Sequence, residues 1–218
     1  MAGRGNFDSL ARIYSTLEWL AFGGGLERAR FCLLDHLRDC QNILLLGEGD
    51  GRCLARLVKI APNARFHYVD GSAAMLDRAA SRLDEKDRPR VTLTCADVLV
   101  WSPPSASYDA VVTLFFLDCF SAAEVKALIA KIQPALRPCA KWLWVDFILP
   151  ARGVSRWRAK ILLPVMYAFF RWRTDLATKA LPPTEAILCA AGWRPLATRD
   201  FQGIFARAVV FSQPGCLS

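Results

Sequence analysis

The segment Asn42-Ile43-Leu44-Leu45-Leu46-Gly47-Glu48-Gly49-Asp50-Gly51-Arg52 constrains this chain more than any other. Four apolar residues, Ile43 to Leu46, predict a buried strand. They run directly into Gly-x-Gly-x-Gly, and Cys53 to Val58 then carries the apolar spacing of a helix. Such a strand, turn and helix start presents bare backbone N–H groups and a positive helix end to a ligand. An ordinary glycine-rich connection would look the same in isolation, so the weight falls on the residues beyond Val58.

Strand and helix patterns alternate after this unit. Phe66 to Val69 predicts a strand ending at Asp70, Ser72 caps a helix that runs to Leu83, and Val91 to Cys95 predicts a strand followed by Asp97. Tyr108 to Thr113 predicts a fourth strand, Ala122 to Leu136 a helix, and Lys141 to Val145 a strand ending at Asp146. This alternation implies a parallel sheet covered on both faces, with its ligand beyond the carboxyl ends of the strands. Before the core, Asn6 to Phe22 and Leu26 to Leu37 read as helices separated by Gly23-Gly24-Gly25. After it, Glu185 to Ala191 reads as a helix, and Trp193 to Thr198 and Ala206 to Ser212 as an antiparallel pair joined by Asp200-Phe201-Gln202-Gly203.

Asp70 stands about 20 residues past the glycine turn, at the end of the next strand, where a carboxylate accepts hydrogen bonds from a ribose diol. Asp97 can reach the amino edge of an adenine from the end of the third strand, or serve as a turn residue. Asp146 reads as a turn residue. A dinucleotide fingerprint requires Gly-x-Gly-x-x-Gly. Here the third glycine is Gly51, one place early, and Arg52 fills the position that pattern reserves for glycine, which disfavours a nicotinamide-dependent oxidoreductase.

These segments resemble the class I S-adenosylmethionine-dependent methyltransferases. The likeness rests on Leu44 to Gly51, on Val69-Asp70-Gly71-Ser72-Ala73-Ala74-Met75-Leu76, on Cys95-Ala96-Asp97-Val98, on Tyr108 to Thr113, and on Leu136-Arg137-Pro138-Cys139-Ala140, where both glycines of the family's turn are replaced. It is strongest toward the small enzymes similar to ubiquinone and menaquinone biosynthesis methyltransferases, which share a helix like Phe7 to Tyr14.

The resemblance implies a Rossmann-like α/β fold, a seven-stranded, mostly parallel sheet with an antiparallel last strand and helices on both faces. It implies S-adenosyl-L-methionine as cofactor. Gly47, Glu48, Gly49 and Gly51 would line its methionine part, with Thr113, Leu114 and Phe115 passing nearby. Asp70, Gly71 and Ser72 would hold the ribose region, Met75 would pack beside the adenine, and Asp97 and Val98 would contact the adenine edge. Tyr14 would close the pocket. Arg30 is a candidate for the cofactor carboxylate, set against a solvated helix face. The family's acidic residue two places before the first glycine is replaced by Leu45, so Glu48 or backbone carbonyls must meet the cofactor ammonium. A non-catalytic cofactor-binding module that regulates or scaffolds a partner is the alternative to an enzyme. Asp118 and Tyr14 are the candidates for a catalytic base, although Asp118 can equally cap the helix near Ser121. His36 and His67 read as structural.

The chain of 218 residues divides into cap helices over 6–37, a core over 41–146, a substrate insert over 147–183, and a terminal helix and strand pair over 184–213, all one domain. Net charge is +8. Much of it lies in Arg152, Arg156, Arg158, Lys160, Arg171 and Arg173, which flank an apolar, aromatic run with no acid between them. That segment, 152–173, reads as a weak contact with a membrane surface and an entry for a lipophilic small molecule, or equally as a lid packed on the sheet. No nucleic-acid-binding motif accompanies it. Its longest apolar stretch, Ile161 to Phe170, is shorter than the about 20 residues a bilayer span needs. The eight cysteines form no Cys-x-x-Cys pair, so they read as reduced thiols of a cytoplasmic protein without a metal site.

Overall fold

A computed structural model describes residues 24–148 and 181–213. The helix expected before Gly23, Tyr14 within it, and the basic aromatic segment 152–173 lie outside these residues.

The elements run in the order α1 (Gly25–Phe31), β1 (Asn42–Leu46), α2 (Arg52–Ile60), β2 (Arg65–Asp70), α3 (Ala73–Ser81), β3 (Val91–Cys95), β4 (Tyr108–Leu114), α4 (Ala122–Ile132), β5 (Leu136–Phe147), α5 (Thr184–Ala190), β6 (Arg194–Phe201) and β7 (Ala206–Ser212). The seven strands form one sheet in the order β3-β2-β1-β4-β5-β7-β6. Strands β1 to β5 are parallel, and β7 runs antiparallel between β5 and β6.

The period-2 geometry of a strand divides the apolar residues between two cores. From β1, Ile43 and Leu45 join Leu54, Leu57, Leu76 and Val112 under α1, α2 and α3. Leu44 and Leu46 point the other way and join Leu128, Ile129, Trp142, Trp144 and Leu188 under α4 and α5. A strand covered on both faces tolerates no polar alternation, which is why β1 reads as an unbroken apolar run.

Several expectations change in detail. Leu26 to Leu37 is not one helix: α1 stops at Phe31, and Leu34–Leu37 tightens into a 3₁₀ turn. The turn keeps Leu34 and Leu37 fully buried, so hydrophobic periodicity does not distinguish it from a continuous helix. Gly25 opens α1 instead of ending the preceding segment. Leu136 to Ala140 belongs to β5, with a register shift where Tyr108 and Ala110 oppose Leu136 and Lys141. Cys139, at a position where the family carries glycine, adopts the left-handed φ of 63°. β6 runs on through Asp200 and Phe201, because Asp200 faces Arg207 of β7 and pairs with it at 2.6 and 3.0 Å. Cys32, Cys40, Cys53, Cys95, Cys119 and Cys189 are free thiols. Cys139 is disulfide-bonded, which corrects the expectation of reduced thiols throughout.

Candidate cofactor site

The strand order reverses between β1 and β4, the place where an open α/β sheet leaves a crevice beyond its carboxyl ends. Leu46 is paired with Thr113 there, so the loops after these two strands lie side by side. On the β1 side Gly47 has φ 57°, and its N–H donates to Val69 at 2.9 Å. A Cβ at Gly47 would stand 2.0 Å from the Phe116 ring. Gly51 caps α2 with φ 83°, and a Cβ there would stand 2.4 Å from the Ala79 backbone. Two close approaches thus require glycine: one to the loop after β4, the other to α3.

Beside these packed positions the ligand side stays bare. A Cβ at Gly49 or Gly71 would meet nothing within 4 Å. Asp70 closes the end of β2, where its Oδ1 accepts the Ser72 N–H at 2.9 Å and its Oδ2 lies 2.6 Å from the Tyr68 hydroxyl. That hydroxyl also accepts the Gly49 N–H at 2.8 Å. Tyr68 therefore ties the Asp70 carboxylate to the glycine loop. Burial raises the Asp70 pKa, and the bonds from Tyr68 and Ser72 oppose the shift. A carboxylate offers about four lone-pair directions, so Asp70 retains acceptors for a diol.

Ser72 caps α3, accepting the Met75 N–H at 3.4 Å. Asp97 is exposed next to the end of β3, where its Oδ1 accepts the Leu99 N–H at 2.8 Å. The Ala96 N–H donates to the Asp70 carbonyl at 3.0 Å, which sets the turn that carries Asp97 beside Asp70. Val98 is buried. The Leu114 side chain lies in the core.

Glu48 is turned away from the ligand side. Its oxygens accept the Cys53 and Leu54 N–H groups at 2.8 and 3.4 Å, capping α2 from within the loop. Burial pushes its pKa up to about 7, against these bonds and the charge of Arg30. Leu45 is fully buried. Arg30 is only 8% exposed, with its guanidinium 5.2 Å from the centre of the Phe115 ring, so the solvated-face reading of Arg30 is overturned.

Beyond β4, Phe115 has φ 52° and its N–H still donates to Val145. Asp118 is 4% exposed in the 3₁₀ turn Leu117–Cys119. It does not cap α4. Ser121 and Glu124 form a complete capping box there. Asp146 is not the turn residue expected from its sequence position: it is 1% exposed, and burial together with the Asp118 carboxylate raises its pKa. His67 bridges Tyr108 and Thr94 at 2.6 and 2.8 Å, a structural role.

The basic excess is not confined to 152–173. An open groove of about 850 Å³ on the outer face of α2 is lined by Arg38, Arg52, Arg56, Lys59 and Arg82 around Glu27. Arg52 and Arg82 both pair with Asp50 of the glycine loop, at 3.0 and 2.7 Å. Arg52 thus braces the loop at the position the dinucleotide pattern gives to glycine. Among the described residues, no group of three or more His, Cys, Asp or Glu side chains is placed to hold a metal, and no helix is long and apolar enough to cross a membrane.

Residues 43–139 match a family model described as a methyltransferase domain. That segment carries the match to the methyltransferase domain, and the described sheet as a whole has the class I methyltransferase fold. Its fold is shared with the 1,6-didemethyltoxoflavin-N1-methyltransferase of Burkholderia thailandensis, at 17% identity and a TM-score of 0.66 over 95% of this chain and 86% of that one. It is shared with the N-methyltransferase NodS of Bradyrhizobium japonicum bound to S-adenosylhomocysteine, at 15% identity and a TM-score of 0.59 over 87% and 88% of the two chains. Human N-acetylserotonin methyltransferase, solved in complex with S-adenosylmethionine, aligns at 17% identity with a TM-score of 0.61 over 93% of this chain and 55% of that one. No curated protein sequence matches.

Three site features escape the local sequence pattern as it was read. Tyr68 lies two residues before Asp70, and strand periodicity puts both on one face. Arg30 sits four residues after Leu26 and three before Leu33, on the apolar stripe itself. Asp146 leaves no local signal, since its partner Phe116 is 30 residues away.

Proposed function

We propose that this protein is an S-adenosylmethionine-dependent methyltransferase that transfers the cofactor's methyl group to a small, apolar acceptor. The observation that carries this reading is the cradle at the β1–β4 reversal. A bare Gly49 faces the Asp70 carboxylate, whose orientation Tyr68 and Ser72 fix. The bound cofactor supplies an electrophilic sulfonium methyl, so the chain's task is alignment more than activation.

Asp70 holds the ribose hydroxyls, Asp97 and the Val98 backbone meet the adenine edge, and Met75 packs beside the ring. Gly71 and Ser72 leave the nucleoside side open. With Leu45 in the core and Glu48 committed to α2, carbonyls of the glycine loop meet the cofactor ammonium. Arg30 lies beside Phe115 at the same end of the crevice and suits the carboxylate. Asp118 takes the proton from the acceptor's nucleophilic atom, with Tyr14 closing the pocket. The insert 147–183 selects the acceptor, and its basic aromatic part makes a weak contact with anionic lipid. The neighbour from B. thailandensis was solved with 1,6-didemethyltoxoflavin, a small-molecule ligand. The likeness to the quinone-biosynthesis enzymes points to quinols as the first acceptors to try.

Calorimetric titration with S-adenosylmethionine, S-adenosylhomocysteine and NADH tests the cofactor. Binding of the sulfur compounds alone supports the reading, and binding of NADH alone overturns it. Formation of S-adenosylhomocysteine with quinol or lipid extracts, but not with polar amines or nucleic acid, tests the acceptor class.

A further inference from the structure

The Asp146 carboxylate occupies an unusual place for a strand residue. It is the penultimate residue of β5, 1% exposed, and receives N–H donors on both oxygens. Oδ1 accepts the Phe116 N–H at 3.0 Å, and Oδ2 accepts the Trp144 indole N–H. The Asp118 N–H also donates to this carboxylate. The β4–β5 ladder continues through the Phe115 N–H, which donates to the Val145 carbonyl at 2.6 Å. The left-handed turn at Phe115 then swings the next N–H off the ladder, and the Asp146 side chain takes the place of a ladder carbonyl. The same turn aims the Phe116 ring at Gly47, where any Cβ would collide with it, and stacks that ring edge-on against Phe120 at 5.0 Å.

An acid buried beside another acid is a costly way to fill space. An asparagine would offer one acceptor oxygen to these donors and aim its own N–H group at one of them. Gly47, on the far side of the ring, begins the loop assigned to the methionine part of the cofactor.

We propose that Asp146 is a positioning residue for the methionine end of the cofactor. By accepting the Phe116 N–H it holds the left-handed turn at Phe115 and seats the Phe116 ring against Gly47, which fixes the width of the crevice there. The proposal rests on the cofactor reading and extends it to a residue that does not touch the ligand.

The test compares S-adenosylhomocysteine with 5′-methylthioadenosine, which keeps the nucleoside thioether and lacks the amino-acid half. Calorimetry on wild type, Asp146→Asn, Phe116→Ala and the double variant gives the four affinities for each compound. Asp146→Asn weakens S-adenosylhomocysteine by about tenfold or more and 5′-methylthioadenosine by less than about twofold. The double variant binds S-adenosylhomocysteine within about twofold of Phe116→Ala alone, because both changes act on one ring. Equal loss of both compounds, no loss of either, or additive losses in the double variant would overturn the role. Should Asp146→Asn fail to fold, Phe116→Ala decides: a selective loss of S-adenosylhomocysteine supports the wall at Gly47, and an equal loss removes it. A folded wild-type protein that binds neither compound overturns the cofactor reading, and this role with it.

Discussion

The Tyr68 hydroxyl stands 2.6 Å from Asp70 Oδ2 and accepts the Gly49 N–H at 2.8 Å, so one phenol joins the carboxylate of β2 to the turn after β1. Burial and the neighbouring Asp70 and Glu48 carboxylates keep the phenol protonated.

Replacing Tyr68 with phenylalanine should preserve the packing and remove the hydroxyl's contacts with Asp70 and with the Gly49 N–H and carbonyl. Loss of about 1–2 kcal/mol of positioning corresponds to a roughly 5- to 30-fold weaker affinity for S-adenosylhomocysteine. The pH dependence should move as well. The Tyr68 hydroxyl lowers the Asp70 pKa, so its removal raises that pKa, and binding that needs the ionised acid fails at a higher pH on acidification. Titrations across an acidic pH series check the direction. An unmoved profile would break the link between the two residues.

Asp70→Ala removes the acceptor proposed for the ribose hydroxyls. The expected loss of cofactor affinity is about 2–4 kcal/mol. Calorimetry on a variant with an unchanged circular dichroism spectrum measures it, and unchanged affinity would count against the whole site.

Glu48 predicts a slope in stability. Its folded-state pKa of about 7 lies above the ordinary 4.5, so the folded protein holds the extra proton between those values. Stability is fully present below the lower value and falls as pH rises through the upper one, by about 3 kcal/mol in all. Glu48→Gln keeps an acceptor for the Cys53 N–H and has no proton to lose, so its urea midpoint should be flatter across this window. Parallel slopes for the two proteins would refute the assignment.

Gly51→Ala should harm the fold. The left-handed φ and the 2.4 Å approach to the Ala79 backbone act together. The expected destabilisation is about 2–5 kcal/mol, read from chemical denaturation.

Asp109 accepts the Gln41 and Asn42 N–H groups at 2.8 and 2.9 Å, locking β4 to the entry of β1. Asp109→Ala should cost about 1–2 kcal/mol of stability. Cofactor affinity in the folded variant should stay within about twofold of wild type, since Asp109 lies at the other end of the strands.

The parallel core is legible in the sequence because β1 is an unbroken apolar run ending at a glycine turn, and strand and helix patterns alternate after it. Gly47, Gly51 and Asp70 can be found because a turn and a strand end impose local requirements on residue type. Glu48 is visible, but not its direction: nothing local reveals that its carboxylate turns back onto α2. Asp146 is out of reach for the same reason on a larger scale. What sets it against the Phe116 N–H is the register of β5 against β4, which no window of neighbouring residues contains. Arg30 is legible as a candidate, and its burial could have been found as well, since a cation on an apolar stripe is a buried cation.

The place of β7 in the sheet bears on how the chain is made. The strand that separates β5 from β6 is the last of the seven to leave the ribosome, because Ala206–Ser212 comes after both of its neighbours in sequence. Until it emerges, the apolar edge of β5, from Trp142 to Val145, has no partner, and β6 has no place to attach. Nascent chains that stall before Ala206 would carry an open, apolar strand edge, the surface on which chains pair with one another. Completion of this sheet therefore waits for its seventh strand, and a chaperone that shields one strand edge until then would serve the yield more than one that assists the core.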